Sequence, residues 1–130
     1  MKTTKILALG IAAAIATAGT SAMAADGAKV FKKKCGACHT MEPGKHKMGP
    51  ALDGIVGRAA GSAEGFTKYK AMKGATFTWT EDLLDEWITD QKKFLKAHKD
   101  TVGGKKTSMS AKVKKEKERK AIIEFLKGDH

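Results

Sequence analysis

Apolar positions are spaced unevenly along the 130 residues, and their rhythm predicts where the chain is ordered. The first cluster is a continuous run, Ile6 to Ala18, rich in Ala, Ile and Leu. A short helix follows over Asp26 to Lys34, with Val30 and Phe31 as its apolar face and Lys32, Lys33 and Lys34 facing solvent. From Thr40 to Glu64 periodicity vanishes, and Pro43, Gly44, Gly49, Pro50, Gly54, Gly57 and Gly61 punctuate a long loop. Thr67 to Met72 has room for one or two helical turns. Ala75 to Thr80 is β-prone but has no evident partner strand. Thr80 can cap a helix over Glu81 to Thr89, with two carboxylates in its first turn and a stripe of Leu83, Leu84, Trp87 and Ile88. A helical piece over Gln91 to Ala97 comes next, then a polar loop from Lys99 to Ser108. Ser110 can cap a last helix that runs to Lys127 and stops at Gly128, with Val113, Ile122, Phe125 and Leu126 facing inward. The expected class is all-α, with short helices and long loops and no internal repeat. A structureless loop of that length counts against a compact domain unless it wraps around something.

The opening run changes the picture of the domain. Lys2 and Lys5 precede it, and Ala22-Met23-Ala24 follows it, the small-x-small pattern of a secretory cleavage site. The run is too short and too alanine-rich to span a bilayer, which takes roughly 20 apolar residues. We therefore expect residues 1–24 to be a cleaved signal peptide and residues 25–130 to be one domain, exported to the periplasm, without stable membrane insertion and monomeric. A domain of that size has a modest core of its own. The whole chain carries a formal charge of +11, and removing Lys2 and Lys5 with the leader lowers it by two. So basic a surface suits an acidic partner. Export and the lack of lysines interleaved with aromatics argue against nucleic acid.

Both cysteines sit in one pentapeptide, Cys35-Gly36-Ala37-Cys38-His39. C-x-x-C-H is the pattern of c-type haem attachment. Cysteines three apart on a helical turn share a face, with Cβ atoms roughly 5–6 Å apart, so each thiol can add to one vinyl group of the same porphyrin. The adjacent His39 then falls where its imidazole can ligate the iron. Three other readings use the same cysteines. A thioredoxin-like dithiol belongs to a βαβ context absent here. Half of a zinc site needs a second ligand pair that does not follow. A plain disulfide leaves the histidine unexplained.

With these residues in view, the chain after the leader resembles class I cytochromes c, nearest to bacterial cytochromes c2 and mitochondrial cytochrome c. Gly27-x-x-x-Phe31 precedes the first cysteine as in that family, and Phe125-Leu126 matches the aromatic–leucine pair of its last helix. Gly49-Pro50 and Leu52 match the stretch that buttresses the proximal histidine, so the Pro50 carbonyl is the expected acceptor for the His39 ring. His46 corresponds to a structural loop histidine. Arg58, in Gly57 to Gly61, together with Trp79 and Thr107, corresponds to the residues placed near the haem propionates. The sequence departs from the pattern at several points. Tyr69 comes one place late in Gly65-Phe66-Thr67-Lys68-Tyr69, though it is still counted with the pocket. Trp87 replaces a tyrosine beside the haem, Gln91 replaces a proline, Ala111 replaces an edge-shielding phenylalanine, and the segment before Met109 is longer than in the mitochondrial proteins.

The resemblance implies a class I cytochrome c fold around one covalently bound haem c, with Cys35 and Cys38 as the attachment points. Its axial ligands would be His39 and Met109, a Met/His pair that in cytochromes c raises the reduction potential. Met41, Met48 and Met72 fit worse as ligands, the first two by lying near His39 and the third as core. His98 and His130 are fallbacks. The implied function is outer-sphere transfer of one electron through an exposed haem edge, and the protein would not be an enzyme. The implied partners are acidic docking faces of a bc1-type complex, an oxidase, a reaction centre or a periplasmic dehydrogenase. Lys33, Lys34, Lys45, Lys47, Lys92, Lys93, Lys105 and Lys106 would form the basic rim that steers docking. Two rivals use the same residues: a haem protein with an open sixth position, and a basic module for anionic surfaces in which haem is only structural.

Overall fold

The computed structural model describes Gly10 and residues 20–128, with side chains from residue 23 onward. Apart from Gly10, the expected leader run lies outside the described residues, as does His130. Among the described residues there are four helices: α1 (Thr20–Lys34), α2 (Glu81–Thr89), α3 (Gln91–Ala97) and α4 (Glu116–Lys127). The remaining described residues are turns and extended segments, so the expected all-α class with long loops holds.

Helix α1 begins six residues before the expected Asp26, because Ser21 to Ala25 is rich in alanine, the best helix former. The cut expected after Ala24 would fall inside it, ahead of the part that packs. That part crosses α4 at Gly27, where Ala121 O and Phe125 Cβ lie so near that a Cβ would overlap them. One turn on, Phe31 meets Phe125 with ring centroids 5.2 Å apart. Phe31 O then accepts from both Cys35 N (2.7 Å) and Gly36 N (2.8 Å), which ends the helix in the turn that carries the C-x-x-C-H motif.

Three expectations need correction. Helix α4 starts at Glu116 and not after Ser110, with Lys115 at its N-cap and no side-chain cap. The reason is tertiary: Val113 is buried, and its N–H bonds Ile88 O at 2.8 Å, so the preceding segment is held extended across α2. Glu116 and Glu118 then occupy the first turn, where the helix dipole favours them. The second correction concerns Ala75 to Thr80, which does find a partner. Ala60 N bonds Phe77 O, Trp79 N bonds Arg58 O and Gly57 N bonds Trp79 O, forming a short antiparallel bridge centred on Ala59 and Thr78. The third is that Thr67 to Met72 forms no helix, and the chain turns at Ala71 to Gly74 instead.

The α2 stripe packs as expected, with Thr80 Oγ1 accepting from Leu83 N to cap the helix. Leu84, Trp87 and Ile88 are buried, and Asp90 caps α3 through Lys93 N. Phe94 of α3 is nearly inaccessible and gathers the aromatic residues: Trp79 stacks on it at 5.8 Å, Trp87 meets it edge-on at 5.3 Å, and Phe77 lies at 5.9 Å. Arg119 joins α4 to α2 through Asp85 Oδ1 at 2.8 Å and holds the extended segment through Val113 O and Lys114 O. Among the described residues no helix is long and apolar enough to cross a membrane.

The α1–α4 crossing yields a direct test. Gly27→Val places two methyl groups against α4 backbone and should cost about 1–3 kcal/mol by overpacking. The check is the denaturant midpoint of the variant beside the unsubstituted protein, and an unchanged midpoint would show that the crossing is not tight.

Candidate functional site: the cavity at the end of helix α1

A cavity of about 250 Å³ opens between the α1–α4 crossing, the aromatic cluster and the two long loops. Its wall is mostly apolar, with Phe31, Leu52, Ile55, Met72, Leu84 and Ile122 prominent. The predicted residues converge on it. Cys35, Cys38, His39, Pro50, Arg58, Tyr69, Trp79, Trp87, Thr107 and Met109 all contribute to the lining, although Cys35 and Met109 are 74 residues apart in sequence.

The motif turn is held by His39 N to Cys35 O (3.0 Å) and Cys38 N to Cys35 O (3.1 Å). Cys35 and Cys38 form no disulfide with each other. Burial pushes the Cys35 thiol up to about 11, with Lys34 opposing and Cys38 adding to the rise. The described residues contain no βαβ unit, the context to which a thioredoxin-like dithiol belongs. Among the described residues no cluster of His, Cys, Asp and Glu is arranged to hold a metal ion, which leaves the zinc half-site without its other half.

Pro50 O lies 2.8 Å from His39 Nδ1. A carbonyl can only accept, so Nδ1 carries the proton and donates, leaving Nε2 with its lone pair. Burial lowers the His39 pKa below the ordinary imidazole range, the Pro50 bond opposes this, and Arg58 lowers it further. The neutral ring is the form that ligates metals. Gly49 lies flat beneath it: a Cβ there would run into Cε1, Nδ1 and Nε2 of the imidazole. Gly49 N is in turn bonded to Cys38 O at 2.8 Å, so buttress and motif move as one piece. His46 clamps the same loop, accepting from Ala51 N at Nδ1 and bonding Glu64 O at 2.7 Å through Nε2.

On the α2 side, the Trp87 indole N–H donates to Met109 Sδ at 3.2 Å. Met109 N donates to Thr107 Oγ1 at 3.1 Å, which shapes the turn into the sulfur. Met72 is buried in the core, and Met48 stands exposed at the cavity rim. His98 is half-buried, bonded to Glu86 Oε2 at 2.7 Å and packed on Phe94, so its ring is already committed. Arg58 uses two nitrogens to hold Asp53 O and Ala51 O, and the Tyr69 hydroxyl accepts from Ala63 N. The sequence marks Gln91 only as standing in place of a proline, with no role of its own. Its burial beneath Met109's segment leaves no trace in the helical pattern.

An apolar cavity with two thiols and a neutral imidazole at one end of a helix, and a thioether held by an indole, is a donor set that fits a haem. The comparisons agree. The Cytochrome c family model matches residues 24–128. Cytochrome c of Chlamydomonas reinhardtii is 41% identical over 104 residues, covering 79% of this chain and 86% of its own. Cytochrome c of Gibberella zeae is 39% identical over 102 residues, covering 78% and 89%. The solved structure of cytochrome c2 from Rhodospirillum centenum superposes with a TM-score of 0.66 at 37% identity, covering 80% of this chain and 95% of that one. The chain belongs to the cytochrome c family, with the class I fold. These are electron-transfer proteins that carry one covalently attached haem c, for which this chain has the Cys35–Cys38 pair.

The Gly49–His39 contact yields a prediction. Gly49→Ala drives a methyl into a ring that its Pro50 bond holds in place, and should cost about 1–3 kcal/mol while lowering the yield of haem-loaded protein. Holoprotein recovery and thermal unfolding check it; normal values for both would mean that the imidazole is free to tilt.

Proposed function

We propose that this chain is an exported, monomeric, single-haem electron carrier of the cytochrome c2 type, with His39 and Met109 as the axial ligands. The observation that carries the reading is the convergence of His39 and Met109 on one cavity with the two cysteines, each ligand atom oriented by a separate hydrogen bond. When bound, the haem supplies a one-electron ferric–ferrous couple. The chain's part is positional. Pro50 fixes the tautomer and direction of His39, Cys35 and Cys38 tether the ring, and Trp87 engages the sulfur of Met109. Arg58, Tyr69, Trp79 and Thr107 line the same cavity and are the groups proposed to meet the propionates; Arg58 keeps guanidinium donors beyond the two already used. The apolar wall keeps water from the iron. The protein forms no bond to a substrate and is a carrier, not an enzyme.

Export to the periplasm rests on the basic–apolar–small pattern of residues 1–24, with residues 25–130 as the working domain. The partners proposed are acidic docking faces of a bc1-type complex, an oxidase, a reaction centre or a periplasmic dehydrogenase. Lys33, Lys92, Lys93, Lys105 and Lys106 are exposed, whereas Lys34 pairs with Glu118, Lys45 with Glu42, and Lys47 bonds Gly36 O. Of the expected rim, therefore, Lys33 on α1 and the lysines of α3 and of the loop before Met109 are the ones to test.

Two measurements check this proposal. The ferric protein should show a weak near-infrared sulfur-to-iron charge-transfer band that Met109→Ala abolishes; a high-spin spectrum without it would mean an open iron and a different function. Replacing Lys92, Lys93 and Lys105 together by Glu should slow reaction with an acidic redox partner and flatten its ionic-strength dependence. An unaltered salt dependence would place the docking face elsewhere.

A further inference from the structure

The segment that carries Met109 has its own fastening, and it runs through Gln91. This residue opens α3 and is only 2% exposed. Its Nε2 donates to Trp87 O at 2.9 Å, one of the last four carbonyls of α2, and to Ala111 O at 2.7 Å, two residues beyond Met109. Two carbonyl acceptors settle which end of the amide faces them, since only the NH2 group donates. The other end, Oε1, is buried with no hydrogen-bond partner among the described residues. One side chain thus ties the backbone of the residue whose indole meets the sulfur to the backbone just past the sulfur itself.

Other restraints on this stretch act farther along. Val113 N bonds Ile88 O, Lys112 pairs with Asp90, and Arg119 holds Val113 O and Lys114 O. Thr107 bonds Met109 N from within the segment. Between residues 107 and 111, the hydrogen bonds that reach α2 or α3 among the described residues are those of Trp87 to Met109 and of Gln91 to Ala111.

We infer that Gln91 is a positioning residue for the Met109 thioether, a latch that keeps residues 107–111 closed on the cavity. The inference rests on Met109 being an iron ligand, as proposed above. Packing alone would be served as well by an apolar side chain of similar length, which would also dispense with the unpaired Oε1. Methionine is that side chain. Gln91→Met removes both donated bonds and the orphan acceptor together, so it should loosen the segment while leaving overall stability nearly unchanged.

The test uses the ferric holoprotein, with imidazole as a probe that competes for the sixth coordination position. If the Ala111 bond exists only in the closed form, its loss should raise the open population, and with it the apparent imidazole affinity, about fivefold. The unfolding midpoint should stay close to that of the unsubstituted protein. Ile123→Val, in the buried face of α4 and away from the segment, is the comparison for a general loss of stability. An imidazole affinity in Gln91→Met that shifts no more than in Ile123→Val would overturn the latch. Gln91→Leu loses the same two bonds and serves as a second variant, expected to move in the same direction, should Gln91→Met fail to fold. Met109→Ala separates the two levels of the argument. If it keeps the near-infrared band, the ligand assignment fails and takes the latch with it. If it loses the band while Gln91→Met binds imidazole normally, the latch alone fails.

Discussion

The close crossing of α1 and α4 at Gly27 is the constraint on which the rest of the structure depends. With no side chain at that point, the helix backbones approach until Phe31 meets Phe125, and Phe31 O is left to end α1 in the motif turn. The position of Cys35, Cys38 and His39 relative to the cavity is therefore inherited from a helix–helix contact that involves none of them. Few other elements are available to set it. The four helices are short, and isolated helices of such length are marginal in water, so each depends on the contacts it makes in the assembled domain.

The two sides of the cavity are built on different principles. Around His39 the restraint is backbone-rich and local: Gly49 beneath the ring, Pro50 on its nitrogen, and Cys38 O bonded back to Gly49. Around Met109 it is made by side chains reaching across the fold, from Trp87, Gln91 and Arg119. A ring nitrogen pinned at short range has little freedom to turn. A thioether on an extended segment gains its position chiefly from Trp87 and Gln91, whose bonds to Met109 and Ala111 span 22 and 20 residues of sequence, and it is on that side that small changes in hydrogen bonding should alter the behaviour of the site. The aromatic cluster about Phe94 supplies the wall against which Trp87 packs edge-on.

Charge is distributed with a comparable division of labour. Several lysines near the cavity are occupied within the fold: Lys34 fastens α1 to α4 through Glu118, and Lys47 holds the motif turn through Gly36 O. They leave Lys33, Lys92, Lys93, Lys105 and Lys106 as the exposed lysines of the expected rim.

Much of the site was legible in the sequence because its chemistry is local. Covalent attachment at Cys35 and Cys38 needs two thiols on one helical turn and a neighbouring imidazole, and a pentapeptide supplies all three. The capped, amphipathic α2 was equally clear, since Thr80, Glu81, Asp82 and the Leu84–Trp87–Ile88 stripe all lie within one short window. What the sequence could not express was competition between local preference and distant partners. Ser110 is a good cap, yet α4 begins at Glu116 because Ile88 O captures Val113 N. Ala75 to Thr80 has strand character but no visible mate, and Gly57 to Ala60 becomes one only when the long loop folds back. Gln91 looks like an ordinary helix residue until burial and two carbonyls give it a task. The sequence alone determined the reactive groups and the helices that carry them, because both depend on neighbours within a few residues. The tertiary structure alone decided how Met109 is held, because that depends on which backbone groups the folded chain leaves within reach.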